Sequence, residues 1–402
     1  MSFEIARSGI NAVNSSLDAI SNNIANSGTY GYKSTRANFS AMYAGTQMNG
    51  AEVSSMSQSI ETTGGLLNTG RSMDAMITGK GFFAVKNDAG QEVYTRVGIF
   101  NVDKDGNVID SMGRNLQGYA AVLDTNGKPL TGAGLGALGN LTVPTGQVGA
   151  QASTKLAFNG NLSSDWTVPT TALFDKDDAT SFNSSVTSTI YDSQGAQHSV
   201  TQYFIKTGPN TINVQYSFDG AVPTLPVQTL NFGPGGALLN TPATVPFAAA
   251  PAGVNPIALS IDYSGTTQYS GDTTTLTNSP DGNAAGTLTG VSLAADGGVI
   301  ATYSNGDHLT MGTVALATFA NENALQAISD TSWTANVDTG TPLYSQPGSA
   351  TASKLSVGSI EQSNVDMTGE LVNLMSAQRN YQANTKVISA ESEMMQSLMQ
   401  AV

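Results

Sequence analysis

FEIARSGINAVNSSLDAISNNI, residues 3–24, sets the architecture of this chain. Phe3, Ala6, Ile10, Val13, Leu17, Ile20 and Ile24 recur at alternating spacings of three and four, the seam of a coiled-coil helix. Gly28 and Gly31 then stop the pattern. The opposite end of the chain repeats it. Met367, Leu371, Leu374, Gln378, Tyr381, Thr385, Ile388, Ser392, Met395, Met399 and Val402 keep the same alternation, with three polar members. Periodicity alone also suits an amphipathic helix lying on a globular core. Position argues for pairing, because each helix lies at an extreme end and is separated from the middle by a polar stretch. The first helix is rich in Asn and Ser, weak helix formers, so it should barely form alone. We therefore expect both termini to be largely disordered in the free chain and to fold when neighbouring copies cover their faces.

Inward from these ends the apolar period switches to two. Turn signals recur at Ala89-Gly90, Asp105-Gly106, Asn126-Gly127, Gln194-Gly195, Asp219-Gly220, Asp296-Gly297 and Asn305-Gly306. VTSTIYDSQGAQHSVTQYFIK, residues 186–206, reads as two alternating runs joined by a tight turn, a β-hairpin. Gly/Ala/Pro-rich stretches at 131–149 and 241–256, and a polar one at 278–290, interrupt the strands. The expected fold is mixed and mainly β: discontinuous β-rich middle and outer domains, plus an α-helical coiled-coil domain made of the N- and C-terminal helices. The helical domain takes 1–27 and 364–402, connecting segments 28–70 and 358–363, the middle domain 71–144 and 285–357, and the inserted outer domain 145–284.

Composition narrows the function. The 402 residues allow two or three separate cores. A formal net charge of −14, with no Lys or Arg between Lys206 and Lys354, makes nucleic acid and anionic membrane poor partners. Cysteine is absent, which removes disulfides, thiolate chemistry and Cys-based metal sites. Glu4, Arg7 and Asp18 break up the first twenty residues, so they lack the apolar core of a cleaved signal peptide, and no later stretch is apolar enough to span a bilayer.

Chemical motifs fare poorly. GLGALG, residues 134–139, has the spacing of a dinucleotide loop but is followed by NLTVP instead of a helix. Asp103, Asp105 and Asn107 alternate like calcium ligands, yet the later glycine and bidentate glutamate are missing, so a hairpin turn is expected. His198 and His308 are the only histidines and show no acidic pair beside them in the sequence, and no GxSxG elbow frames a nucleophile. We expect no enzymatic activity and no cofactor or metal.

SNNIANSGTYGYK (residues 21–33) and SNVDMTGELVNLMSAQRNYQANTKVI (363–388) resemble the N- and C-terminal signatures of the flagellar rod and hook axial proteins. GKGFFAV, YTRVGIFNVDKDGNVIDSMGRNLQGY and YSNGDHLTMGTVALATFANENAL resemble the middle domain of the hook members, and IYDSQGAQHSVTQYFIK a segment of their outer domain. Ala324 stands where that family usually has glycine. The resemblance implies a subunit that leaves the cell through the flagellar type III export apparatus without a cleaved signal. It implies a short curved homopolymer acting as a universal joint between rod and filament. It implies contacts with the distal rod protein, the hook cap protein and the hook-filament junction protein. Interface residues would be Phe3, Ile10, Val13, Leu17, Ile20, Ile24, Leu371, Leu374, Ile388, Met395 and Met399, with Arg379 and Tyr381 setting contacts between subunits. A distal rod protein lacks the length of 145–284, and an exported β-rich carbohydrate-binding protein would need clustered aromatics, whereas Trp166 and Trp333 lie far apart in the sequence.

Overall fold

The computed structural model describes residues 2–44, 47–87, 89–124, 128–130, 136–171, 173–222, 227–239, 247–249, 253–349 and 353–401. It is mainly β, with one long helix at each end, as the periodicities predict. Helix α1 runs from Ser2 to Ala25 and helix α2 from Met367 to Ala401. Asp366 caps α2: its carboxylate accepts the Thr368 N–H at 3.0 Å, and its carbonyl accepts the Glu370 N–H. At its other end α1 closes on asparagine, with the Asn26 amide donating to the Asn22 carbonyl at 2.9 Å.

After α1 the chain forms a long antiparallel hairpin, β1 (Thr35–Ala44) and β2 (Gln47–Gln58). Its ladder is polar on one side, where Asn38 donates to Ser55 and Ser57. The hairpin lies along α1. Ser8 Oγ accepts the Ala51 N–H, and a side chain at Gly50 would collide with that hydroxyl.

A 13-stranded sheet interleaves strands from 82–140 with strands from 288–345, and it encloses two cores. Phe82–Lys86 explains why. Strand alternation sends Phe83 and Val85 to one face, among Phe100, Leu116, Val299 and Leu316, and Phe82 and Ala84 to the other, against Trp333, Phe319 and Tyr94. A strand buried on both faces is apolar throughout, as FFAV is.

Between those halves, two four-stranded sheets built from 155–280 face each other over a third core, which includes Phe158, Phe204 and Tyr263. The expected hairpin forms there, Ser184–Tyr191 pairing with Gln197–Gly208 around the Asp192–Gly195 turn. Ala324 ends a one-turn 3-10 helix without entering the left-handed region, so alanine fits where the family prefers glycine. Asn126-Gly127, and Gly134 and Leu135 of the glycine-rich motif, lie outside the described residues. Leu138–Asn140 is a strand paired with Asn115–Ala120, so no helix follows that motif.

Candidate assembly surface

Helices α1 and α2 pack antiparallel. A side chain added at Gly9 would touch the Asn384 amide, and Asn23 Nδ2 donates to Glu370 Oε1 at 2.8 Å. These two contacts are separated by the same length of helix on both partners (9 to 23; 370 to 384), so one register holds over about 21 Å. The same register places Ser2 opposite Glu391, and residues 392–401 of α2 run beyond the start of α1.

Most of the side chains buried on the two helices are small or polar, Ile20 being the exception. Ala6, Ala12, Ala19, Ile20 and Asn23 are buried on α1; Ile10, Val13, Leu17 and Ile24 are half-buried, and Phe3 is exposed. On α2 the shielded stripe is Glu370, Leu374, Ala377, Asn384, Ile388 and Glu391, with Tyr381 at its margin. This corrects the expected seam. Leu374, Tyr381 and Ile388 keep their places, but the alternate position shifts back by one residue. Leu371 (47% exposed) and Arg379 therefore face away from α1, whereas Met395 (63%) and Met399 (76%) are exposed because they lie in the stretch of α2 that α1 does not reach. Gly9 lets the α1 backbone approach a stripe of α2 that mixes the apolar Leu374, Ala377 and Ile388 with Glu370, Asn384 and Glu391.

Asn23 carries more of the arrangement than any seam residue. Its amide nitrogen also donates to the Thr35 carbonyl, while its oxygen accepts the Thr35 N–H at 2.9 Å and the Tyr32 hydroxyl at 3.2 Å. One buried amide thus ties α1, α2 and β1 together with its bonding capacity filled. Periodicity marks Asn23 only as a poor helix former, which is why it was missed.

Behind it lies a buried ionic junction, which sequence spacing did not reveal. Lys33 Nζ meets Glu361 Oε1 at 2.6 Å and donates to the Thr62 carbonyl, and Gly64 N–H donates to the same Glu361 oxygen. Arg96 Nη1 lies 3.6 Å from Glu361 Oε2, and its guanidinium sits over the Phe82 ring. Lys33 and Glu361 come from the segments leading to α1 and α2; Arg96 comes from the large sheet. Burial pushes Lys33 and Arg96 below their ordinary values and the nearby buried Glu322 above its own.

The other chemical candidates resolve into structure. Asp103 accepts from the Asp105 and Asn107 N–H groups and from the Asn107 amide, closing its own turn; these bonds, the Asn107 side chain first, hold its carboxyl below the usual range. His198 is not isolated, contrary to the reading from sequence. Its Nδ1 lies 2.7 Å from Asp219 and its Nε2 3.4 Å from Asp192, and its ring stacks on Phe218. Ser199 bonds Asp219 instead of the imidazole, so no Ser-His-Asp relay is assembled. Among the described residues no cluster of His, Asp and Glu is arranged to hold a metal, and no helix is long and apolar enough to cross a membrane.

Comparison with known proteins matches this arrangement segment by segment. Profiles described as "Flagella basal body rod protein" (residues 3–33), "Flagellar hook protein FlgE/F/G D1 domain" (76–163), "Flagellar basal body protein FlaE D2 domain" (161–283) and "Flagellar basal body rod FlgEFG protein C-terminal" (356–401) fit the chain. The flagellar hook protein FlgE of Salmonella typhimurium is 35% identical, and that of Escherichia coli K12 34% identical, each with 99% of both chains covered. The Helicobacter pylori flagellar hook protein FlgE2 shares the fold at a TM-score of 0.53 and 14% identity, covering 72% of this chain and 98% of that one. With terminal helices at both ends, a β-rich body and full-length similarity to these relatives, the chain belongs to the flagellar hook protein family and is a structural hook subunit.

Proposed function

We propose that this subunit polymerises through its terminal helices into a short, curved tube that transmits torque from rod to filament and encloses the export channel. The exposed apolar surface of α2 carries the reading. Met367, Leu371, Val372, Met375, Val387, Met394, Met395, Leu398 and Met399 are exposed on a single helix, more apolar surface than a free soluble helix normally presents. A second copy of this chain is the fitting cover, since residues 392–401 extend past α1 and leave it nothing to pack on within the subunit. Phe3 and Tyr381 lie at the margin of the same surface, while Ile10, Val13, Leu17, Ile20, Ile24, Leu374 and Ile388 shape the pair that presents it.

In this reading residues 1–27 and 364–402 form the inner helical domain, 28–70 and 358–363 the connecting segment, 71–144 and 285–357 the wall, and 145–284 the outer domain. The partners are further copies, the distal rod protein, the cap and junction proteins and the type III export apparatus. The protein acts mechanically and not as an enzyme.

Leu371→Asp tests the surface. Leu371 is half-exposed in the single subunit, so the monomer should keep its stability within about 0.5 kcal/mol. Polymerisation, followed by sedimentation and electron microscopy, should be lost, because the carboxylate would be desolvated in every subunit contact. Normal tubes from this variant would refute the assignment of that face.

A further inference from the structure

The chain leaves the large sheet for the outer sheets, and later returns, through a narrow neck. The two passages pair with each other. Val148 N–H donates to Gly286 at 2.9 Å and Gly286 N–H returns the bond at 3.1 Å; Gln151 and Asn283 exchange N–H···O bonds of 3.0 Å each. A two-stranded ribbon is marginal in water by itself and leaves what it carries free to swing.

Lys128 meets the neck from outside the ribbon. It is buried, and its ammonium donates to Gln151 Oε1 at 3.0 Å on the outgoing passage and to Asn283 Oδ1 at 2.7 Å on the return. Its third partner is Asp307 Oδ2 at 3.1 Å, in the turn between the sheet strands Gly298–Tyr303 and His308–Val314. Three N–H donors thus find three acceptors on three separate chain passages. Asp307 is held in turn, taking both Asn283 Nδ2 contacts at 2.7 and 2.6 Å and one from Asn305, whose amide also donates to the Ala284 carbonyl. No other lysine or arginine lies anywhere in the returning half of the outer insertion. Lys128, from the wall, is the cation that meets both passages.

We propose that Lys128 is a positioning residue that holds the outer sheets at one orientation on the large sheet by clamping both strands of the neck to Asp307. A polar clamp suits this place better than an apolar contact. Its directional, charge-assisted bonds fix an angle, whereas apolar packing tolerates sliding.

The test uses the absence of cysteine from the chain. Leu276→Cys on the outer strand Thr274–Pro280 and Val337→Cys on the wall, both highly exposed, accept two nitroxide labels without a competing thiol. Pulsed electron–electron resonance on the soluble full chain should give a narrow distance distribution. Lys128→Met preserves the stem and removes every donor, so the distribution should broaden and shift while circular dichroism keeps its β signal. Gln151→Ala deletes one acceptor and should broaden it less; it decides the matter if Lys128→Met does not fold. A role confined to stability would lower the melting temperature and leave the distances unchanged, and that result would overturn the proposal.

Discussion

The outer sheets and the terminal helices solve the burial problem in opposite ways. Phe158, Phe204, Tyr216 and Tyr263 are buried together, the two tyrosine hydroxyls bond each other, and that of Tyr263 also donates to Gln202, so the outer sheets close their aromatic core within one chain. The helix pair buries Ala6, Ala12, Ala19, Ala377 and Asn23 with Ile20, and leaves Leu371, Met375, Met394, Met395, Leu398 and Met399 exposed. A region that completes its core inside one chain is stable as a monomer; one that displays its largest side chains takes its stability from neighbours. The subunit thus joins a self-sufficient body to an adhesive end.

The largest test of this contrast lies in the self-sufficient half. Phe204→Ala empties the space beside Phe158, whose ring centroid is 5.3 Å away, and should destabilise the outer sheets by about 3–5 kcal/mol in urea unfolding. The helical signal should be unaffected. Simultaneous loss of helix and outer sheet would show that the two regions share one cooperative unit.

A comparable loss is expected where the two styles of packing meet. Glu361→Gln leaves the buried Lys33 and Arg96 without their carboxylate and should cost about 3–5 kcal/mol. Here the damage should fall on the helices: hydrogen exchange should speed up in α1 and at the start of α2 while the outer core stays protected. Equal protection in both variants would place the junction outside the anchoring of the helices.

The smallest effect separates surface electrostatics from core packing within the outer sheets. The hydrogen bond to Asp219, helped by Asp192, raises His198 above its usual value of 6.5. A raised folded value means the charged pair stabilises fully below pH 6.5, and that increment fades as pH climbs through the raised value. Unfolding of wild type should therefore show a shallow loss between mildly acidic and mildly alkaline pH that His198→Gln abolishes. Persistence of the slope in the variant would assign it to another group.

Much of this was legible in one dimension. Alternation at FFAV and in residues 184–208 depends on side-chain order along a strand, and the three–four spacing at both ends depends on helix geometry, so each survives without knowledge of partners. The Asp103 turn was readable for the same reason, since all its bonds close within five residues. His198 was misread because one of its two carboxylates arrives from 21 residues away, across a strand pair. On α2 Leu374 and Ile388 hold their expected places against α1, while Leu371 lies off the shielded stripe. Gly9 admits the Asn384 side chain close to the α1 backbone, a placement set by a partner more than 350 residues distant in the sequence.

The two end helices, the β-rich middle, tight turns such as Asp105-Gly106 and the exclusion of thiol chemistry follow from neighbours a few residues apart and from composition. The antiparallel register of the helices, the Lys33–Glu361–Arg96 junction and the Lys128 clamp exist only once the chain has folded. Each joins groups far apart in the chain, with a separation of 155 residues between Lys128 and Asn283 and 347 between Asn23 and Glu370, and the energy of a buried charge depends on which partner stands within about 4 Å, a distance that periodicity does not encode.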